Sequence, residues 1–211
     1  MIEKFPEANM CGRYVLFTDE EDDDITDLVN EIQQRLYGDQ TIDEESYESE
    51  KNYLRTNGEV FPSQLAPVIT SEGPAAFNWG LPGFKGKGLI INAKSETVFE
   101  KPFFRPAIMS RRVVVPSHGF FEWQKNGKEK LKLRFNLPET KALFMAGLYN
   151  EYKEGPRFAI ITTAANVSMS PVHDRMPVIL RGAEAEAYLY DDGFAKEILS
   201  RIPPELINSA A

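Results

Sequence analysis

The sequence contains little cysteine, little histidine and no long apolar run. Its 211 residues include one cysteine, two histidines and two tryptophans. A single cysteine excludes an internal disulfide and fits a reducing compartment, so we expect a cytoplasmic protein. No apolar run reaches the ~18 residues that a membrane-spanning helix needs, and the first residues lack the layout of a secretory signal. We expect no membrane contact, and we also predict neither a metal site nor another cofactor.

Charge is distributed unevenly along the chain. The net charge of −8 argues by itself against nucleic-acid binding. Residues 1–60 hold 17 acidic and 5 basic side chains, whereas residues 85–134 hold 12 basic and 4 acidic ones. A basic middle segment can form a local positive groove on an acidic protein, and an ordinary solvated surface gives the same counts. Charge alone favours the ordinary surface and leaves a nucleic-acid groove open.

Hydrophobic periodicity predicts a single α+β domain. Five apolar residues recur at helical spacing between an acidic run at 19–24 and Gly38: Ile25, Leu28, Val29, Ile32 and Leu36. After Gly58, short apolar runs predict strands at 88–92, 112–116, 131–135, 142–149, 157–162 and 177–180. Asn126-Gly127 predicts a hairpin turn, and helical patterns return at 183–190 and 193–202. We expect a mostly antiparallel, curled or barrel-like sheet with peripheral helices.

Cys11 is the first candidate for chemistry, within Met10-Cys11-Gly12-Arg13-Tyr14. A lone cysteine is most often a small buried hydrophobe, but Gly12 and Arg13 are poor neighbours for a core position, and the arginine favours the thiolate. If the chain begins at Met10 or is cut after it, Cys11 carries a free amine as well as a thiol. The amine can form a Schiff base with an aldehyde, and the thiol can then close a thiazolidine ring.

Three further polar residues are candidates, each with a structural alternative, and one histidine is not a candidate. Glu122 is flanked by aromatic residues, which suits a desolvated acid–base group, or it faces water by strand alternation. His173 lies in a polar cluster between two strand-like runs, or in a plain surface loop. Asn92 ends an apolar run and either orients a substrate or terminates a strand. We interpret His118, in a predicted turn, as structural or exposed.

Taken together and in order, these residues and their neighbours are similar to the SOS response-associated peptidase (SRAP) family of abasic-site-shielding proteins. The resemblance spans residues 11–180 and consists of seven motifs: Cys11-Gly12-Arg13-Tyr14; Phe61-Pro62-Ser63-Gln64; Trp79-Gly80-Leu81; Asn92-Ala93-Lys94-Ser95-Glu96; Arg111-Arg112 leading to Pro116 and Gly119-Phe120-Phe121-Glu122-Trp123; Thr162-Thr163-Ala164-Ala165-Asn166; and His173-Asp174-Arg175-Met176-Pro177-Val178-Ile179-Leu180. Chance recurrence of all seven in this order is very rare.

The resemblance implies a covalent reaction with damaged DNA. Cys11 would form a thiazolidine with the ring-opened sugar of an abasic site, and the same steps would run backwards to release the protein. Glu122 would move protons, His173 would help to open the sugar ring and stabilise charge, and Asn92 would hold the N-terminal cysteine. Imine formation needs such proton donors and acceptors.

The resemblance also implies a DNA-damage-response protein that acts as a monomer on single-stranded DNA. An abasic nucleotide has no base to unstack, so it enters a pocket at low cost. Pro62 could act as a wedge that ends the base stack. Arg13, Lys94 and Arg175 would hold the DNA. Trp79 and Trp123 could each pack on bases or sugars, or could each belong to the core.

Three features depart from the family pattern. Nine residues precede Met10, so we expect residues 1–10 to be an extension that is removed or lies before the true start, with the SRAP domain at 11–211. Lys94 stands where the family usually has arginine, which keeps the charge but loses the bidentate fork. Only 31 residues follow Leu180, fewer than in many family members.

Three functions therefore compete. The first is a protein that crosslinks to abasic sites and can release itself. The second is a thiol autopeptidase, a hydrolase in which Cys11, Glu122 and His173 cut the Met10–Cys11 bond and so generate the free amine. The third is a non-catalytic single-strand-binding module whose blocked cysteine never reacts.

Overall fold

Fifteen strands and four helices make up the part of the chain that the computed structural model describes, namely residues 12–17, 23–38, 53–83, 87–127, 129–138 and 140–211. The strands are β1 (Tyr14–Leu16), β2 (Gly58–Val60), β3 (Leu65–Thr70), β4 (Gly73–Trp79), β5 (Leu81–Pro82), β6 (Leu89–Ile90), β7 (Asn92–Lys94), β8 (Arg112–Ser117), β9 (Phe120–Asn126), β10 (Glu129–Asn136), β11 (Leu143–Asn150), β12 (Arg157–Ala164), β13 (Arg175–Pro177), β14 (Ile179–Leu180) and β15 (Ile207–Ala210). The helices are α1 (Asp23–Tyr37), α2 (Arg105–Ser110), α3 (Gly182–Tyr190) and α4 (Asp192–Ser200).

Five strands of the larger, eight-stranded sheet close on themselves. β12 pairs with β4, β4 with β3, β3 with β8, β8 with β11, and β11 with β12 again. β14 extends this ring from β11, while β13 and β7 extend it from β12. The β12–β4 and β12–β7 pairs are parallel and the other pairs are antiparallel. The predicted mostly antiparallel, barrel-like α+β domain is confirmed.

The smaller, five-stranded sheet has the order β15-β10-β9-β1-β2. It joins the larger sheet where β8 runs into β9 through Gly119, whose φ is +125°. A Cβ at Gly119 would lie 2.7 Å from the carbonyl oxygen of Phe135, so only glycine fits this corner. Tyr14 on β1 then packs against Trp79 on β4, with ring centroids 5.2 Å apart. This contact holds the two sheets together around a common core.

The predicted N-terminal helix is present, but two residues of its predicted apolar face are not buried, and one of them, Leu28, is half-buried. Ile25, Val29 and Ile32 are buried, as the spacing predicts, whereas Leu36 is 49% exposed. Leu36 lies in the last turn of α1, where Tyr37 makes a contact with the rest of the chain, its ring centre 5.9 Å from that of Tyr53. Gly38 follows the helix with a φ of +62°, as expected for a helix end. Most of the acidic run at 19–24 lies outside the described residues.

The hairpin signal at Asn126-Gly127 is confirmed with a shift of one residue. Asn126 pairs with Glu129, so Asn126 still belongs to β9 and the loop begins at Gly127, which has a φ of +62°. Two predicted strands are each interrupted, the first between β6 and β7 and the second between β13 and β14. The strands β1 to β4 escaped prediction, in part because Pro67 and Pro74 lie inside β3 and β4 and proline argues against a strand.

Candidate active site

Glu122 is a buried carboxylate on β9. The residue is 6% exposed, and it follows Phe121, which is also buried. Side chains alternate along a strand, so Glu122 shares its face with Phe120, a residue of the core. Its cross-strand partner Leu133 is buried as well. The alternative of a water-facing Glu122 is therefore excluded, and a carboxylate removed from bulk water suits proton transfer.

The start of β1 lies directly beside the strand that carries Glu122. Tyr14 pairs with Phe120, and the backbone N–H of Phe121 donates to the carbonyl of Arg13 at 3.0 Å. The hydrogen-bonded contact between β1 and β9 thus continues to the residue before Glu122. Gly12 alone separates Arg13 from Cys11, which lies outside the described residues.

Arg13 lies between two aromatic rings. Its guanidinium carbon is 4.6 Å from the ring centre of Phe61 and 5.0 Å from that of Trp123. Its Nη1 donates to Glu59 at 3.3 Å, and the Arg13 side chain remains 39% exposed. Arg13 and Trp123 are thus brought together at the surface, where both can reach a ligand.

Trp79 is a core residue, and the prediction that it contacts DNA is wrong. The residue has no exposed surface, because its ring packs against Tyr14 and stacks on Phe158. Its Nε1–H donates to the carbonyl of Ile91 at 3.1 Å. Ile91 directly precedes Asn92, so Trp79 fixes the backbone at the start of β7 instead of stacking on a base. Asn92 is half-buried there.

The His173 imidazole is held by its own loop. The backbone N–H of Arg175 donates to Nδ1 of His173 at 3.0 Å, and Oδ1 of Asp174 lies 2.9 Å from the same nitrogen. A neutral Nδ1 that accepts a hydrogen bond has no proton for Asp174, so the two contacts exclude each other. Because Asp174 is 87% exposed and the N–H is part of the loop, we favour the backbone contact. The neutral ring then carries its proton on Nε2.

Arg175 is paired with Glu96. The two side chains form a bidentate contact, with N–O distances of 2.5 and 2.8 Å, and Nη2 of Arg175 also donates to the carbonyl of Thr162 at 2.7 Å. The Arg175 hydrogen bond is the main cause that lowers the pKa of Glu96 below its ordinary value of 4.5. DNA binding by Arg175 stays a prediction, and a phosphate there would have to share the guanidinium with Glu96.

Lys94 and Pro62 both lie at accessible ends of strands. Lys94 is exposed at the end of β7, opposite Thr162 on β12. Pro62 is half-buried in a turn whose next residue, Ser63, has a φ of +75°, a value that favours glycine. The N–H of Ser63 donates to the Trp79 carbonyl at 2.7 Å, which ties the turn to β4. Both positions fit their predicted roles in DNA binding, and both roles stay predictions.

The structure groups the candidate residues on two sheets. Arg13, Glu122 and Trp123 lie on the five-stranded sheet. The other group lies on the eight-stranded sheet and the loop before β13: Asn92, Lys94, His173 and Arg175. His118 is structural, as expected, because it is buried and its Nδ1 accepts the Phe17 N–H at 3.0 Å.

Sequence reasoning missed the acidic partners of the basic residues. Glu59 is the partner of Arg13, and Glu96 is the partner of Arg175. Glu96 was visible as the last residue of the Asn92-Ala93-Lys94-Ser95-Glu96 motif, whereas Glu59 had no signal of its own. Within the described ranges, no three histidine, cysteine, aspartate or glutamate residues cluster as a metal site would require. Among the described helices, none is both long and apolar enough to cross a membrane.

Comparison with known proteins identifies the family. Residues 10–207 match the family model described as SOS response associated peptidase (SRAP). The chain belongs to the SRAP family. The resemblance that the sequence motifs indicated is thereby confirmed.

Relatives of this SRAP chain include proteins from Bacillus subtilis and Escherichia coli. It is 35% identical over 195 residues to the abasic site processing protein YoqW of B. subtilis (strain 168), and the alignment covers 85% of this chain and 80% of YoqW. It is 30% identical over 124 residues to the abasic site processing protein YedK of E. coli (strain K12), covering 56% of each chain. A crystal structure of a Bacteroides thetaiotaomicron protein superimposes with a TM-score of 0.68 at 27% identity, covering 95% of this chain and 91% of that one.

Proposed function

We propose that this SRAP protein processes abasic sites in DNA by forming a covalent link through Cys11. The observation that carries the proposal is the position of Glu122. A buried carboxylate lies beside the strand that leads, through Arg13 and Gly12, to the single cysteine of the chain. The name that the relatives YoqW and YedK share, abasic site processing protein, supports the substrate class.

The proposed reaction joins one aldehyde to two nucleophiles of one residue. An abasic sugar opens to expose the aldehyde at C1′. The Cys11 amine adds to this carbon, and the resulting carbinolamine loses one water to give an imine. The thiolate then adds to the imine carbon and the nitrogen takes up a proton, which closes a thiazolidine. The net change is the loss of one water, and reversal consumes it again.

Three side chains would serve this sequence of steps. Glu122 would accept a proton from the amine and return it to the departing hydroxyl, because a buried carboxylate can exchange protons without competition from bulk water. His173, with its proton on Nε2, would donate to the sugar oxygen as the ring opens. Asn92, whose backbone is anchored through Ile91 and Trp79, would orient the Cys11 amine.

The DNA partner we propose is a single strand. Trp123 is half-buried on the surface and lies beside the Arg13 guanidinium, so the pair offers both an aromatic face and a charge. Pro62 lies in the turn that follows Phe61, the second ring next to Arg13. Lys94 adds an exposed cation at the end of β7. This combination suits a stack of bases interrupted at the lesion.

The proposed chemistry requires a free amine on Cys11. Translation from Met10 followed by removal of that methionine would provide it, and so would cleavage of the Met10–Cys11 bond by the protein itself. Mass spectrometry of the intact protein from cells separates these products from a chain that retains residues 1–10. A protein that keeps those residues would be the non-catalytic binding module instead.

The test is incubation of protein that begins at Cys11 with single-stranded DNA containing one abasic site. We expect a heat-stable adduct in a denaturing gel, and none with undamaged DNA of the same sequence. Cys11→Ala should abolish it. Cys11→Ser keeps the amine and loses the thiol, so it should form only a Schiff base that survives heating after borohydride reduction. A heat-stable adduct from Cys11→Ala would refute the role of Cys11.

A further inference from the structure

The five-stranded sheet has one face that lies outside both apolar core clusters, and the described residues on it include cations and aromatic rings. On adjacent strands, Trp123 is directly opposite Lys132, and Phe121 is directly opposite Arg134. Opposite residues of paired strands project to the same face. These four residues therefore share one face, which we call the outer face, and Phe121 is itself buried there. Leu133 and Phe135, which alternate with Lys132 and Arg134 along β10, point to the core.

The cations on the outer face lie over aromatic rings. Nζ of Lys132 is 4.0 Å from the ring centre of Phe121. Arg13 lies over both Phe61 and Trp123. Such contacts keep a long side chain extended along the sheet surface and reduce the entropy that it loses on binding a ligand.

A single carboxylate bridges two of these cations. Oε2 of Glu59 accepts from Arg13 at 3.3 Å, and Oε1 of Glu59 accepts from Lys132. Two oxygens carrying one negative charge, placed between a guanidinium and an ammonium, reproduce what two non-bridging oxygens of a phosphodiester would offer. Arg13, Glu59 and Lys132 thus have the arrangement of a phosphate site occupied by an internal anion.

The internal anion is held loosely enough to be displaced. The side chains of Glu59, Lys132 and Arg13 are 30%, 23% and 39% exposed. Solvent therefore still reaches all three groups, so another anion can compete with the Glu59 carboxylate for the two cations. A DNA phosphate that replaces Glu59 would restore the ion pairs with Arg13 and Lys132. Its binding would also be favoured by the release of counterions from the DNA.

We propose that Lys132 and Arg13 together bind a backbone phosphate of the DNA strand, and that Glu59 is the internal anion which this phosphate displaces. This inference rests on the proposed function, since it extends the DNA path from Arg13 along β10. It assigns a DNA-binding role to Lys132 and a negative, affinity-limiting role to Glu59.

The experiment measures equilibrium binding without chemistry. Cys11→Ala protein is titrated against a fluorescent oligothymidylate at a series of salt concentrations. Adding Lys132→Gln should weaken binding several-fold at low salt and reduce the slope of log K against log salt by ~0.7, the value for one phosphate contact on a single strand. Lys132→Arg should keep the slope. Glu59→Gln should tighten binding several-fold, because the phosphate no longer competes with a carboxylate.

Helix α4 provides matched controls. Lys196 is an exposed lysine whose Nζ lies 5.9 Å from the ring centre of Phe99, and its neighbour Glu197 is an exposed acid. Lys196→Gln and Glu197→Gln change the net charge by the same amounts as the two test variants, and neither should alter the salt slope.

Two results would overturn the inference. One is a Lys132→Gln variant with the salt slope of Lys196→Gln. The other is a Glu59→Gln variant that binds the oligonucleotide no more tightly than Glu197→Gln. If Lys132→Gln does not fold, the comparison of Glu59→Gln with Glu197→Gln is sufficient to test the inference. Covalent crosslinking to abasic DNA is measured separately on the protein with Cys11 intact. Either result, together with normal crosslinking, would remove this phosphate site and leave the proposed function standing.

Discussion

The two sheets of the molecule differ in how they are covered. In the eight-stranded sheet, Val113 and Val115 on β8 belong to one apolar cluster and Val114 between them belongs to another, so this strand is buried on both faces. In the five-stranded sheet, residues of β10 alternate between buried and half-buried along its second half, so only one of its two faces belongs to an apolar cluster among the described residues. Strand β8 of the first sheet is therefore enclosed by apolar side chains on both faces, whereas β10 of the second sheet carries accessible polar side chains.

Arginines on the two sheets show the same contrast. Arg112 on β8 is buried, and its guanidinium donates to three backbone carbonyls and to Asp192. Arg13, directly before β1, is half-buried and contacts two rings and a single carboxylate. A guanidinium held by three backbone carbonyls and one carboxylate has a structural role. One that rests on rings and shares one carboxylate is the kind of guanidinium that we propose to bind phosphate.

The largest expected effect is on chemistry, from removal of the buried acid of the five-stranded sheet. Glu122→Gln keeps the shape of the side chain but cannot exchange protons, so we expect crosslinking to slow by ~10²-fold or more. Single-turnover gel assays with abasic single-stranded DNA measure this rate. Glu129→Gln, at the exposed start of β10, is the matched control and should react at the normal rate. Equal rates for both variants would show that Glu122 moves no proton.

The next effect is on stability, at the buried arginine of the eight-stranded sheet. Arg112→Met removes the donors to the carbonyls of Ile108, Tyr188 and Leu189, so the free energy of unfolding should fall by about 3 kcal/mol. Urea denaturation measures it. Asp192→Asn removes an acid whose side chain is 60% exposed and should cost less than about 1 kcal/mol. A small loss in Arg112→Met would contradict the structural role of this arginine.

A smaller effect is expected at the contact between the two sheets. Trp79→Phe loses the hydrogen bond from Nε1 to the Ile91 carbonyl and some packing, so we expect a loss of about 1–2 kcal/mol in unfolding free energy. Binding of undamaged single-stranded DNA, measured in the Cys11→Ala background, should stay unchanged because the ring has no exposed surface. If Trp79→Phe bound DNA more weakly at unchanged stability, Trp79 would contact DNA after all, and its assignment to the core would be wrong.

The smallest effect concerns pH and the Glu96–Arg175 pair. The pKa of Glu96 is lowered on folding, so its stabilising contribution is present above its unfolded pKa of about 4.5 and is lost as the pH falls through the lower folded value. Since the Glu96 side chain is 46% exposed, we expect less than about 1 kcal/mol at neutral pH. The unfolding free energies of wild type and Glu96→Gln should therefore converge on acidification. A difference independent of pH would contradict the pairing.

Much of the fold was predictable because buried strands of the eight-stranded sheet consist of long apolar runs. The runs at 112–116 and 157–162 fall within β8 and β12, and the run at 142–149 matches β11 except for its first residue. The open sheet was harder to predict at its edge. β1 and β2 are three residues long, and no periodicity can establish itself over so short a span. α2, with six residues, escaped prediction for the same reason.

The candidate residues that belong to the ordered motifs could be predicted from the sequence. Burial and side-chain partners, which depend on the three-dimensional fold, were harder to predict. The motifs pointed to Glu122 and His173, and the structure shows the first buried and the second held by its loop. Sequence alone could not decide whether Trp79 lies in the core or at the surface, because tryptophan suits both. Nor could it pair Glu59 with Lys132, residues 73 positions apart that meet only through the β10-β9-β1-β2 order.

The most direct test of the central claim is the intact mass of the adduct between this protein and an abasic single strand. We predict the mass of a chain that begins at Cys11, plus that of the oligonucleotide, minus one water, with no change after borohydride treatment because a thiazolidine has no imine to reduce. No adduct from a chain that begins at Cys11, or an adduct that retains residues 1–10, would contradict the account.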